Sequence, residues 1–191
     1  MNTILQEQAL QILDEDVLFE LNKIYNKSTR NRLIRELIEL KKRNAYIHVE
    51  YIECENIYKN NNNNNINLHF IINITIILKD EGNVYKFELS SDYPFRAPKK
   101  FTINYTPYLN YLKIDSKKTM LELKKYKGIG CLCCSSINCA SIWSPSTDIV
   151  RCINEFKEFK QYRRDIINKL LAEKITNRYL INDINLLEWL F

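Results

Sequence analysis

The sequence predicts an α+β fold: an N-terminal helix, a four-stranded antiparallel meander sheet, then C-terminal helices. Three observations predict it. Apolar residues hold helical spacing to about residue 43. From Ala45 to Asn104 the period shortens to the alternation of strands, broken by turn-forming residues. After Pro145 the helical period returns. The chain has 191 residues, 46% of them hydrophobic, which suits one core with extensions. We divide it into an N-terminal helical extension (1–28), a core domain (29–160) and C-terminal helices with an apolar tail (161–191).

In order, residues 3–25 predict one amphipathic helix, with Leu5, Ile12, Leu13, Val17, Leu21 and Ile24 on its stripe. Ser28 or Thr29 can cap a second helix from about Asn31 to Arg43, whose stripe is Leu33, Leu37 and Leu40. Arg32, Arg35, Lys41, Lys42 and Arg43 give that helix a basic side. A strand follows from Ala45 to Ile52, then a polar run from Asn60 to Asn65 that reads as a solvated loop. The continuous apolar run Leu68 to Leu78 predicts a strand buried on both faces. A turn at residues 79–83 leads to a third strand, Val84 to Leu89. Pro94 and Pro98 stiffen the connection to a fourth strand, Lys99 to Asn104. Residues 105–143 predict a long loop with no repetitive structure, where function tends to sit. Ser146 or Thr147 can cap the next helix, with Ile149, Cys152, Ile153 and Phe156 on its apolar face, and residues 159–179 continue as helix. Leu186, Leu187, Trp189, Leu190 and Phe191 end the chain as a docked apolar tail.

Charge and composition exclude some functions. The formal net charge is +5, and no arginine-rich block occurs, so nucleic-acid binding is not expected. No signal-like segment opens the chain, and the longest apolar run, Phe70 to Leu78, is too short for a bilayer. A soluble intracellular protein, cytoplasmic or nuclear, with no membrane partner is therefore expected. In a reducing compartment its six cysteines are thiols or metal ligands.

Four of those cysteines (Cys131, Cys133, Cys134, Cys139) fall within nine residues, directly after Gly128 and Gly130. Two chemistries fit. A nucleophilic thiol needs access, help in forming thiolate, and donors for an oxyanion. Gly128 and Gly130 would let backbone approach a substrate closely. A metal clip needs four ligands, but paired C-x2-C knuckles are missing, and adjacent Cys133 and Cys134 cannot easily join Cys131 on one ion. We assign no metal and no cofactor. The two histidines, His48 and His69, lie in predicted strands and carry no local signature of a Cys-His pair.

Four segments in order resemble ubiquitin-conjugating enzymes. Arg32-Leu33-Ile34-Arg35-Glu36-Leu37 resembles the first helix of that family, and Tyr93-Pro94-Phe95-Arg96-Ala97-Pro98-Lys99 its connection between the third and fourth strands. Gly128-Ile129-Gly130-Cys131-Leu132 resembles the segment around its catalytic cysteine, and Trp143-Ser144-Pro145 the lead into its next helix. The resemblance spans residues 30–156 and implies a ubiquitin-conjugating-enzyme-like fold. It implies that Cys131, with Cys133 and Cys134 as alternatives, accepts ubiquitin or a ubiquitin-like modifier as a thioester and passes it to a substrate lysine. The implied partners are the modifier, a ubiquitin-activating enzyme docking on Arg32, Arg35, Lys41 and Lys42, and a ubiquitin ligase touching Phe95, Ser144, Pro145 and Ser146. The family's upstream His-Pro-Asn is here Thr106-Pro107-Tyr108, so Tyr108, through its hydroxyl, and Asn110 are the candidate oxyanion donors. The alternatives are a catalytically inactive scaffold of the same fold or a zinc-stabilised interaction module.

Overall fold

The structure is a computed structural model that describes residues 3–56, 67–114, 116–128 and 131–176. The Asn60 to Asn65 run, Ile129, Gly130 and the apolar tail lie outside the described residues.

The predicted N-terminal helix is two helices, α1 (Thr3–Ile12) and α2 (Glu15–Asn22). Asp14 between them is extended, at φ −68° and ψ 150°, and Glu15 and Asp16 place negative charge at the start of α2, where the helix dipole favours it. The apolar stripe survives the break: Leu5, Ala9, Leu13, Val17, Leu21 and Ile24 are all buried. Helix α3 (Lys27–Lys41) starts earlier than predicted. Asn26, not Ser28 or Thr29, is its cap, and the Asn26 side chain accepts from the amides of Ser28 (3.0 Å) and Thr29 (3.2 Å).

Strands β1 (Ala45–Asn56), β2 (Asn67–Leu78), β3 (Val84–Ser90) and β4 (Lys100–Ile103) form an antiparallel meander. A two-residue β5 (Thr106–Pro107) adds a fifth strand, in the order β1-β2-β3-β4-β5. One face is the core face. Ile47, Ile76, Tyr85 and Ile103 lie side by side across β1 to β4, and Val49, Ile74, Phe87 and Phe101 form the next row. All eight are buried, and the Phe87 and Phe101 rings stack at 4.3 Å. The expectation that β2 is buried on both faces is corrected. Ile72, Ile74, Ile76 and Leu78 are buried, whereas Ile71, Asn73, Thr75 and Ile77 on the other face are half-exposed. The polar Asn73 and Thr75 mark that face, and the isoleucines beside them supply its β-branched packing surface.

Residues 105–143 are not one loop. Asn104 and Tyr105 turn the chain with φ of 48° and 67°, and three helices follow: α4 (Tyr108–Tyr111), α5 (Lys117–Lys127) and α6 (Leu132–Ser135). Ser116 caps α5 by accepting from the Thr119 amide at 3.3 Å. The long helix α7 (Ile149–Thr176) joins the helical segments predicted after Pro145 into one, as far as the described residues run. Asp148, rather than Ser146 or Thr147, begins it: its carboxylate accepts the Arg151 amide at 2.7 Å. Helices α2 and α3 pack on β1, and α7 packs on α3 and α5. Phe156 of α7 meets Tyr85, Tyr108 and Tyr111 edge-on at the core face of the sheet. Among the described residues no helix is long and apolar enough to cross a membrane.

Candidate active site

Cys131 is the residue before α6, in an extended conformation at φ −157° and ψ 128°. Leu132 buries its side chain beneath it at 1% exposure, so the short helix is anchored by one apolar residue while Cys133 and Cys134 face solvent. Cys131 itself is half-buried. The Cys131 Sγ lies 2.6 Å from the Cys133 Sγ, and the Cys133 Sγ lies 3.8 Å from that of Cys134. The Cys131 thiol is held down to about 7, first by the Cys133 thiol donating to it and then by the Cys134 amide facing it. These amides face the sulfur without closing a side-chain cap on the helix. Cys133 moves the other way, up to about 11, because its proton is the one shared with Cys131. The pair therefore titrates as a unit in which Cys131 ionises first. Cys139 stands apart, with its thiol 3.1 Å from the Ser141 hydroxyl, and Cys152 is buried in α7.

The loop after α6 is fastened by one carboxylate. Glu155 of α7 accepts from the Ser136 hydroxyl (2.8 Å), the Ile137 amide (2.7 Å), the Asn138 side chain (3.2 Å) and the Tyr108 hydroxyl (2.7 Å). The assignment of Tyr108 as an oxyanion donor is corrected by this arrangement. Its side chain is 2% exposed, and its hydroxyl is engaged with Glu155 instead of facing a substrate. Burial, reinforced by Glu155, pushes that hydroxyl far above its ordinary range, so it stays a donor. Tyr108 thus positions the cysteine loop through Glu155. Asn110 is exposed on α4. Gly128 is also reassigned. It ends α5 in the left-handed conformation at φ 66°, with its amide on the Lys124 carbonyl at 2.9 Å, which is a helix-stop role.

A second carboxylate, Glu36, ties α3 to Tyr93 and to the start of α7. It accepts from the Tyr93 hydroxyl at 2.9 and 2.7 Å, from the Ile149 amide at 3.2 Å and from the Arg32 guanidinium. Burial raises its pKa against the opposing pull of Tyr93 and Arg32. Arg32 also donates to the carbonyls of Ser146 (3.3 Å) and Thr147 (3.2 Å), so α3 is clamped to the start of α7. Thr29 adds a bond to the Tyr93 carbonyl at 3.0 Å. The Trp143 indole donates to the Pro94 carbonyl at 2.8 Å. That bond ties Trp143, just before Ser144-Pro145-Ser146, to the residue before Phe95, which is 71% exposed.

The four basic residues of α3 divide. Arg32 is partly buried, and its guanidinium is engaged with Glu36 and the Ser146 and Thr147 carbonyls. Lys41 pairs with Asp14 at 2.5 Å, which joins the N-terminal extension to the end of α3. Arg35 and Lys42 are exposed. Arg35 also borders a cleft of ≈ 330 Å³ shared with Glu39, Arg43 and Arg151.

Glu36, Glu155 and Ser136 had no site role in the sequence reading. Glu155 left a signal: it falls three residues after Cys152 and beside Phe156, on an otherwise apolar helix face. An acid there needs partners. No family model, curated relative or solved structure matches the chain.

Proposed function

We propose that this chain is a ubiquitin-conjugating enzyme with a divergent active site. It accepts ubiquitin or a ubiquitin-like modifier on Cys131 as a thioester and transfers it to a substrate lysine, alone or with a ligase. The observation that carries the reading is the Cys131 thiol itself. It is partly exposed, held down to about 7, and stands at the start of α6, whose following loop Glu155 fastens to the core. A thiolate available near neutral pH is the nucleophile that acyl transfer from another thioester requires. In the first step the Cys131 sulfur attacks the incoming thioester carbonyl, and the donor cysteine leaves as its thiolate. In the second, a lysine amine attacks the new thioester, and Cys131 leaves as thiolate. The bonds that join three of the four resembling segments, Tyr93 to Glu36 and Trp143 to Pro94, support the same reading. Under it, Arg35 and Lys42 remain the basic contacts for the activating enzyme, and Phe95 with Ser144, Pro145 and Ser146 forms the ligase surface.

The test is a charging assay with activating enzyme, ATP and ubiquitin, repeated with ubiquitin-like modifiers and their own activating enzymes. The expected outcome is a reductant-sensitive adduct that Cys131→Ala abolishes and Cys139→Ala leaves intact. One observation favours a second reading, an inactive scaffold of the same class. Tyr108 stands where the family resemblance calls for asparagine, and its hydroxyl is spent on Glu155. Loss of one oxyanion donor lowers such rates by roughly 10²–10³. Absence of any adduct across the panel of modifiers would select the scaffold.

A further inference from the structure

We propose that Cys131, Cys133 and Cys134 form a three-thiolate site for a single thiophilic d10 cation, Cu(I) or Zn(II). Their three sulfurs lie within 4.8 Å of one another, one half-buried and two exposed. Three thiolates around such a cation, at metal–sulfur bonds of about 2.3 Å, stand about 3.8 Å apart. The Cys133–Cys134 separation of 3.8 Å already has that value. The Cys131–Cys133 pair, at 2.6 Å, has to open by a side-chain rotation, which the exposed Cys133 allows. The three sulfurs thus lie closer together than the expectation that Cys133 and Cys134 cannot easily join Cys131 on one ion implies. The helical turn of α6 puts the Cys133 and Cys134 sulfurs on the side where Cys131 enters.

The ligand count sets the kind of site. No histidine or carboxylate joins the three thiols among the described residues, and the Cys139 thiol is paired with Ser141. A closed four-cysteine zinc site is therefore not what these residues build. Three soft donors suit trigonal Cu(I), or Zn(II) whose fourth position is taken by solvent or an outside ligand. Each cysteine still protonated gives up its S–H proton to solvent as its metal–sulfur bond forms, so that three thiolates bind the cation with no change of oxidation state. The site stands on thiol placement alone. Where Cys131 is the acyl acceptor of the reading above, a bound cation would occupy its sulfur and block charging.

Binding is measured directly, so that its outcome is separate from conjugation. Reduced full-length protein, stripped of metal, is titrated anaerobically with Cu(I) against bathocuproine disulfonate and, separately, with Zn(II) against a colorimetric chelator. A Cd(II) titration reports thiolate coordination through its ultraviolet charge-transfer band. The expected result is one cation per chain in at least one arm, with the Cd(II) band present. Cys133→Ser and Cys134→Ser should each weaken affinity by more than about 100-fold, beyond the loss expected from an outer-sphere partner. Both side chains are exposed, so circular dichroism should report an unchanged fold. Cys54→Ser and Cys139→Ser should bind as the parent does. Retention in the Cu(I) arm alone identifies the trigonal site, and retention of Zn(II) the site with an open fourth position. The proposal is overturned if neither cation is held against its chelator, or if both serine variants at 133 and 134 bind undiminished.

Discussion

At the scale of single residues, Cys131 and Cys133 show how two identical side chains two positions apart acquire different chemistry. The shared proton sits with Cys133, and Cys131 is left closer to thiolate. With a thiol held down to about 7, half of Cys131 is ionised at that pH, and its share rises as the pH goes up through it. An ordinary cysteine reaches the same point near about 8.5. Alkylation of metal-free protein by iodoacetamide, followed by peptide mass spectrometry from pH 5 to 9, should therefore label Cys131 before Cys133 and Cys134. Its rate should climb through an inflection near the lower value. Cys133→Ser removes the thiol that does most to hold Cys131 down and should move that inflection upward. An inflection for Cys131 that already lies at the ordinary value in the parent would refute the account. This much was partly legible in the sequence. Gly128 and Leu132 pointed to Cys131, but the side chains that set its ionisation are its own neighbours at 133 and 134. Their direction depends on α6, which the sequence did not reveal as a helix.

At the scale of elements, the short helix α6 is too brief to be stable by itself, and its position comes from what holds its two ends. Leu132 anchors one end in the core, and Glu155 takes four hydrogen bonds from the loop at the other end and from Tyr108. Glu155→Ala strands buried donors and should destabilise the protein by about 2–4 kcal/mol in urea denaturation. Tyr108→Phe removes one bond to a charged acceptor and should cost about 1.5–3 kcal/mol. Because they share one bond, the double variant should lose less than the sum of the two. Strict additivity would mean that Tyr108 and Glu155 act separately and that the loop is held some other way. The strands were legible because their alternation is local: Tyr85, Phe87 and Leu89 point inward as their spacing predicts. Residues 105–143 were read as loop because α4 and α6 are too short to show a period. The pattern of α5 is dominated by lysines on its exposed side. The break between α1 and α2 escaped for the opposite reason. The buried stripe runs straight across Asp14, so periodicity alone had no cause to stop there.

At the scale of the whole molecule, α3, Tyr93 and the start of α7 lie far apart in the chain and meet at Glu36. The sequence showed them as separate landmarks because a buried carboxylate shared between α3, Tyr93 and Ile149 has no local pattern. That junction has a pH signature. Burial raises the Glu36 pKa above its ordinary value, so between the unfolded and folded values the native state holds a proton that the unfolded chain has released. Stability assigned to this group is therefore full below the unfolded pKa and is lost as pH rises through the folded one. Glu36→Gln keeps a neutral acceptor for Tyr93 and cannot ionise. Its thermal midpoint relative to the parent should thus improve as pH rises from about 4.3, the unperturbed glutamate value, toward neutrality. Tyr93→Phe carries the complementary test, since it removes a bond that favours the carboxylate and should push the folded pKa of Glu36 higher still. Its stability should then keep falling to a higher pH than in the parent. If the parent instead gains on Glu36→Gln as pH rises, the Arg32 pairing outweighs burial, and the junction is held by a carboxylate that is more stable charged than neutral.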